Sequence, residues 1–276
     1  MKNKIGIIAG EGVLPRSLSK NAMAQGHETV AVALNLKAFL DLQGQYAHGK
    51  FIPGSQARKC VDYLREHNVK DIIFIGKFHK LWVIAQIPFL DELGRSCLHR
   101  MVDLQDNTFH NALSNLVEEQ GFRIIPQISF LSDLLAKEGS FTKRDLNEQE
   151  ITDIKYGFEM AKKASALEVS QMVVVKNRAV MAFEAAEGTD KTIERGCRLA
   201  RKGGVIVKVA WTNQSDKFDL PTIGPRTIKT IAKNKGSVLA IEAGTTLIAS
   251  PEETYALANK LGVALLAITA ESLKEM

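Results

Sequence analysis

Short apolar runs that alternate with helical segments set the tightest limit on how this chain folds. Ile5-Gly-Ile-Ile-Ala9, Thr29–Leu34, Ile72–Ile75 and Ile124–Ile125 are brief and continuously apolar, as strands buried on both faces are. Between them the pattern turns helical: Pro15 suits the first turn of a helix that Gly26 ends, Ser55 is placed to cap a helix through Asn68, and a polar helix covers roughly 98–120. Strands alternating with crossover helices imply an open α/β sheet with parallel strands. Residues 131–150 break the rhythm. Beyond them come a helix near 148–168, the strand Met172–Val175, a hairpin turn at Asn177-Arg178 into Val180–Phe183, and a strand at Val205–Val209. Pro225 opens a helix, Ser250-Pro-Glu-Glu253 reads as a capping box, and Val263–Ile268 is a last strand. The chain of 276 residues is long enough for two domains. We expect a first domain over 1–135, a linker over 136–150 and a second, mixed α/β domain over 151–276.

Composition narrows the class. Hydrophobic residues make up 45% and charged residues 24%, which excludes a wholly disordered chain. No run of 18 apolar residues and no export signal are present, so a cytoplasmic protein is expected. Cys60, Cys97 and Cys197 form no CxxC pair and read as small buried apolar residues. The net charge of +5 is spread out rather than blocked, which argues against nucleic acid as a partner and suits an anionic small molecule or an anionic membrane surface.

Four segments carry candidate chemistry. Gly10-Glu-Gly12 turns from strand to helix, where backbone N–H groups meet a phosphate or simply make a tight turn. A dinucleotide site would need an acidic residue near the end of the second strand, where Asn35 and Leu36 stand, which counts against a nicotinamide oxidoreductase. In Glu184-Ala-Ala-Glu187-Gly-Thr-Asp190, Glu187 and Asp190 flank a turn beside Gly188 and Thr189. They face a metal and phosphate, or else serve as an N-cap and a solvated loop. Lys217-Phe-Asp219-Leu-Pro-Thr222-Ile-Gly224-Pro-Arg226 lies in a loop before a helix, with Lys208, Lys217 and Arg226 as cations for a diphosphate. Asp103 and Asp106 form an i,i+3 pair on one face of a helix, which is a site or, as for most such pairs, simply solvated. No HExxH, GxSxG or GxxxxGK[ST] motif occurs.

Taken together, GxxAGxGxLP at 6–15, EAxEGTD at 184–190, DLPTIGxxTI at 219–228 and EAG at 242–244 resemble the LpxI-type UDP-2,3-diacylglucosamine pyrophosphatases in order and spacing. The resemblance implies a Rossmann-like N-terminal domain with an open parallel sheet, a C-terminal α/β domain, and hydrolysis of UDP-2,3-diacylglucosamine to UMP and 2,3-diacylglucosamine 1-phosphate with Mg²⁺ in lipid A biosynthesis. It implies that Asp219 is the essential acid. Metal ligation is expected from Asp219, Glu187 and Asp190, and substrate contacts from Gly10, Gly12, Gly76, Asp106, Gly188, Thr189, Lys208, Thr222, Gly224 and Glu242. The chain departs from the family pattern at Glu11, where many members have Gly, and at Gln105-Asp106-Asn107, where members often have GDD. A lipid substrate also implies peripheral contact with the cytoplasmic face of the inner membrane. The apolar stretch Leu81–Leu90 is a candidate for an acyl-chain cleft, that membrane contact or a homodimer interface, or else is ordinary core. The competing class is a non-catalytic binder of nucleotide sugar or lipid.

Overall fold

The computed structural model describes residues 3–78, 85–101, 106–212, 217–218 and 220–276, without the side chains of 106 and 107. Asp219, Asp103 and Leu81–Ile84 lie outside the described residues. The chain forms two compact units. Of the described residues, the first takes in those up to Ser132 together with Lys217 and Phe218, and the second holds 133–212 and 220–276.

The first unit is built on β1 (Lys4–Ala9), β2 (Glu28–Ala33), β3 (His48–Phe51), β4 (Asp71–Ile75) and β5 (Arg123–Ile124), all parallel, in the order β3-β2-β1-β4-β5. Successive residues of β2 point to opposite faces, as strand geometry demands. Val30 and Val32 enter a cluster with Leu64 and Val117, whereas the Thr29 hydroxyl meets Ser19 at 2.9 Å. Ser19 belongs to α1 (Leu14–Ala24), Leu64 to α3 (Ala57–Glu66) and Val117 to α5 (Asp106–Glu119). The apolar runs are therefore continuous because both sheet faces are covered. Between β2 and β3 lies α2 (Leu36–Asp41).

Two local expectations change here. The helix expected over 98–120 is two helices, α4 (Glu92–His99) and α5. Ser55 does not cap α3; Asp91 does so from a distance, accepting Arg58 N–H at 2.7 Å with one oxygen and capping α4 through Gly94 N–H at 2.8 Å with the other. One carboxylate thus satisfies the first turns of two helices. Asn35 proves to be the N-cap of α2, its side chain accepting from Ala38 N–H.

The second unit holds a six-stranded mixed sheet, β6-β13-β11-β9-β7-β8. Its strands are β6 (Gly139–Ser140), β7 (Met172–Lys176), β8 (Ala179–Phe183), β9 (Gly204–Lys208), β11 (Gly236–Glu242) and β13 (Ala264–Ile268). β9, β11 and β13 are parallel, and β7 runs antiparallel to both β8 and β9. The carboxyl ends of β8, β9 and β11 therefore share one edge. β10 (Thr222–Ile223) and β12 (Leu247–Ile248) form a separate parallel pair. Around them pack α6 (Glu148–Ala166), α7 (Thr189–Ala200), α8 (Pro225–Lys233), α9 (Pro251–Leu261) and α10 (Ser272–Glu275).

Asn177 and Arg178 both have positive φ (51° and 57°), the turn that a two-residue hairpin requires. Buried Asp153 accepts both their amides, at 2.9 and 2.7 Å. The capping box expected at Ser250 does not form. Ser250 is left-handed (φ 47°, ψ 64°), whereas a side chain that accepts from the third helical residue needs extended backbone at the cap. A true capping box occurs at Asn147 and Glu150, at the start of α6.

Glu150 is buried, and burial alone would push its carboxyl up. The Arg144 guanidinium at 2.5 Å and the Asn147 amide outweigh that and hold it below the usual carboxylate range. A carboxyl lowered in the folded state adds stability that is present above its unfolded value and lost as pH falls through its folded value. Glu150→Gln is therefore expected to lower stability near neutrality and to flatten its decline on acidification, read as urea midpoints against pH. Cys97 and Cys197 are buried as expected, whereas Cys60 is half-buried; burial pushes the Cys60 thiol up to about 12 and Cys197 up to about 11.

Candidate functional site

The shared strand edge of the second unit gathers the polar residues. Along β9, Val205 and Val207 point into one apolar cluster and Ile206 into the other, which also contains Ile193 and Cys197 of α7. Lys208, two residues after Ile206, therefore projects on the α7 side, at the carboxyl end of its strand. It is 6% exposed, and its ammonium donates to Thr189 Oγ1 at 2.9 Å. Thr189 opens α7 after the N-cap Gly188 and donates its own proton to Glu184 Oε1 at 2.8 Å. Glu184 follows β8, and its Oε2 lies 3.7 Å from the Lys208 ammonium. The edges of β8 and β9 and the start of α7 are thus joined through one hydroxyl. Carboxyl ends of parallel strands are where open α/β sheets bind ligands.

The carboxylates expected to hold a metal have cationic partners. Glu187 accepts from Arg195 at 2.5 Å and from Thr192 at 3.2 Å, and the Arg195 guanidinium holds it below the usual carboxylate range. Asp190 pairs with Arg226 Nε at 2.7 Å, linking the first turns of α7 and α8. Among the described residues no three His, Cys, Asp or Glu side chains are grouped so as to hold a metal ion. In their arginine pairs, Glu187 and Asp190 do not fit a divalent cation. Glu242, at the end of β11, accepts Ala210 N–H at 2.8 Å and the Lys162 ammonium at 3.0 Å. It thereby holds the chain just after β9. Thr222 donates to the Leu220 carbonyl at 3.0 Å, and Gly224 is the N-cap of α8.

In the first unit the glycine turn is closed on itself. Gly10 N–H donates to the Ile75 carbonyl at 2.8 Å, and Glu11 and Lys77 exchange backbone bonds. Gly12 N–H donates to Asp41 Oδ2 at 2.8 Å. Burial would push Asp41 up, but Lys37 and the Gly12 amide hold it below the usual range. All three amides that a phosphate would use are thus taken, one of them by a carboxylate. The glycines answer to a steric need instead. A Cβ on Gly10 would stand 2.7 Å from the Lys77 carbonyl, and one on Gly76 2.7 Å from Gly10 backbone. Asp106 is the first residue of α5.

Sequence reasoning missed Phe218. It is 4% exposed in the core of the first unit, 5.4 Å from the Phe74 ring and stacked on His110 at 4.6 Å and 7°. Its apolar character was a signal for burial, but nothing local names the unit that buries it. The bonds of Asp41 to Gly12, Lys162 to Glu242 and Asp91 to Arg58 carry no local signal, since each joins residues at least 29 positions apart.

These features define an α/β protein with a parallel-strand edge that carries a buried ammonium group, a combination suited to an anionic ligand. Comparison with known sequences makes the class specific. The LpxI N-terminal domain model matches residues 4–134 and the LpxI C-terminal domain model residues 137–266, so the chain belongs to the LpxI family. A relative from Caulobacter vibrioides, a UDP-2,3-diacylglucosamine pyrophosphatase, is 26% identical, over 96% of this chain and 97% of its own. A solved biotin carboxylase domain of a thermophilic 2-oxoglutarate carboxylase matches 68% of this chain and 39% of that one, at 14% identity and a TM-score of 0.28, and carries no argument. Among the described residues no helix is long and apolar enough to cross a membrane.

Proposed function

We propose that this protein hydrolyses the diphosphate of UDP-2,3-diacylglucosamine to UMP and 2,3-diacylglucosamine 1-phosphate, a step of lipid A biosynthesis. The observation that carries this reading is the family match through both domains, together with a pyrophosphatase relative matched over nearly its whole length. The chemistry of the strand edge supports it. A diphosphate diester resists attack because its anionic oxygens repel a nucleophile, and positioned cations offset that charge as it redistributes in the transition state. Lys208 supplies the cation. One of its three N–H bonds is committed to Thr189, which leaves donors for phosphate oxygens. The Thr189 proton is committed to Glu184, so Thr189 serves to orient Lys208. Asp219 takes the proton of the attacking water. Mg²⁺, when bound, would neutralise diphosphate charge; Asp219 is the candidate ligand if it does not serve as the base. An amphiphilic substrate also implies work at the cytoplasmic face of the inner membrane.

The test is to incubate purified protein with UDP-2,3-diacylglucosamine and Mg²⁺, with and without chelator, and to measure UMP by chromatography. We expect UMP in the open reaction and its loss on chelation. Release that survives chelation would keep the hydrolase and remove Mg²⁺. Bound substrate without UMP would point to a binding protein, and neither binding nor release would overturn the reading.

A further inference from the structure

Glu184 sits at the end of a directed chain of hydrogen bonds. A threonine hydroxyl has one proton and two lone pairs. Donation by Thr189 to Glu184 Oε1 at 2.8 Å turns a lone pair of Thr189 toward Lys208, whose ammonium donates into it at 2.9 Å. The order Lys208 to Thr189 to Glu184 is therefore fixed by the acceptor-only carboxylate at its end. The second carboxylate oxygen, Oε2, is buried and makes no hydrogen bond among the described residues, yet it faces the same ammonium at 3.7 Å. Glu184 thus acts on Lys208 twice, once through the Thr189 hydroxyl and once directly by charge. Lys208 is 6% exposed, so its ammonium has little access to water and depends on protein groups for its hydrogen bonds.

We infer that Glu184 is a positioning residue, which sets the direction of the Lys208 ammonium through Thr189 and so presents its remaining N–H bonds to the diphosphate; this rests on the reading that Lys208 binds that group. Glutamine cannot replace it. With its amide oxygen toward Thr189, its NH₂ would face the Lys208 ammonium, donor against donor. The reverse orientation would place two donors on Thr189 and leave the hydroxyl proton without its acceptor.

The test uses the full chain and four variants: Glu184→Ala, Thr189→Val, Thr189→Ser and the double variant Glu184→Ala with Thr189→Val. Glu184→Ala and Thr189→Val are each expected to lower kcat/KM about 10–100-fold, the loss expected when a hydrogen bond to a charged group is removed. Thr189→Ser keeps the hydroxyl and is expected to stay within about threefold of the starting protein. The double variant is expected to lose no more than the worse single one, because both cut the same chain. Thermal melting of each variant shows that it is folded at the assay temperature, and pyrophosphate affinity by calorimetry gives a readout apart from turnover. It is expected to weaken about tenfold in Glu184→Ala, a change that loss of fold stability alone would not produce in folded protein. An active starting protein whose Glu184→Ala variant is folded and unchanged in kcat/KM and pyrophosphate affinity would overturn the inference alone. Losses that add in the double variant would also overturn it, since Thr189 would then act independently. A starting protein that neither releases UMP nor binds pyrophosphate would remove the underlying reading, and the inference with it.

Discussion

Asp219→Asn is expected to cut kcat by about 10²–10⁴-fold, the range for loss of a positioned general base, while KM stays within about threefold. Asparagine matches aspartate in size and removes only the charge and the proton-accepting oxygen. The flanks hold the segment independently of it. Phe218 is buried in the core of the first unit against Phe74 and His110, and Thr222 closes on the Leu220 carbonyl before β10 pairs with β12. The substitution should therefore spare the fold, which circular dichroism and melting would verify beside UMP release. A kcat within tenfold of the starting protein would remove Asp219 from the reaction.

Gly76→Ala should destabilise the first unit by about 2–5 kcal/mol, through backbone strain and a steric clash together. Gly76 has φ 101°, and a Cβ there would approach both the carbonyl carbon and the oxygen of Gly10 at 2.7 Å. Those atoms are backbone, held by the Gly10 to Ile75 hydrogen bond, and cannot rotate away. Gly12 is the control. Its φ is 106°, but a Cβ there would meet nothing within 4 Å, so Gly12→Ala should show the strain alone, about 1–3 kcal/mol. Urea unfolding of both variants separates the two terms. A Gly76→Ala cost no greater than that of Gly12→Ala would show that the two strand ends do not need their close approach.

That pair of glycines also shows how sequence and structure divide the information. From the sequence, Gly10 and Gly12 are legible as a strand-to-helix turn. Whether the turn cradles a phosphate depends on who else reaches its amides, and Asp41, 29 residues on, takes one of them. The same holds at the second site. The EAxEGTD and DLPTIG segments stand out as polar, glycine-marked turns, and their resemblance to one family is visible at once. That Thr189 would spend its only proton on Glu184, and that Glu187 and Asp190 would each face an arginine, depends on how α7 and α8 meet the sheet.

By itself, the sequence determined β1, β2, β4, β7, β9 and β13 as continuous apolar runs, the parallel arrangement of the first sheet and the hairpin at Asn177-Arg178, but not the polar edge strand β3 or the central strand β11. Each follows from side-chain periodicity or from a backbone angle that particular residues tolerate, and both are local properties. Only the tertiary structure decided which polar group satisfies which. Asp91 caps two helices, Asp153 holds a hairpin, Glu242 grips the exit of β9, and Lys208 is aimed through Thr189. Buried polar groups must find partners, but the chain carries far more donors and acceptors than any local rule can match, and only the packing of distant elements brings a given pair within bonding distance.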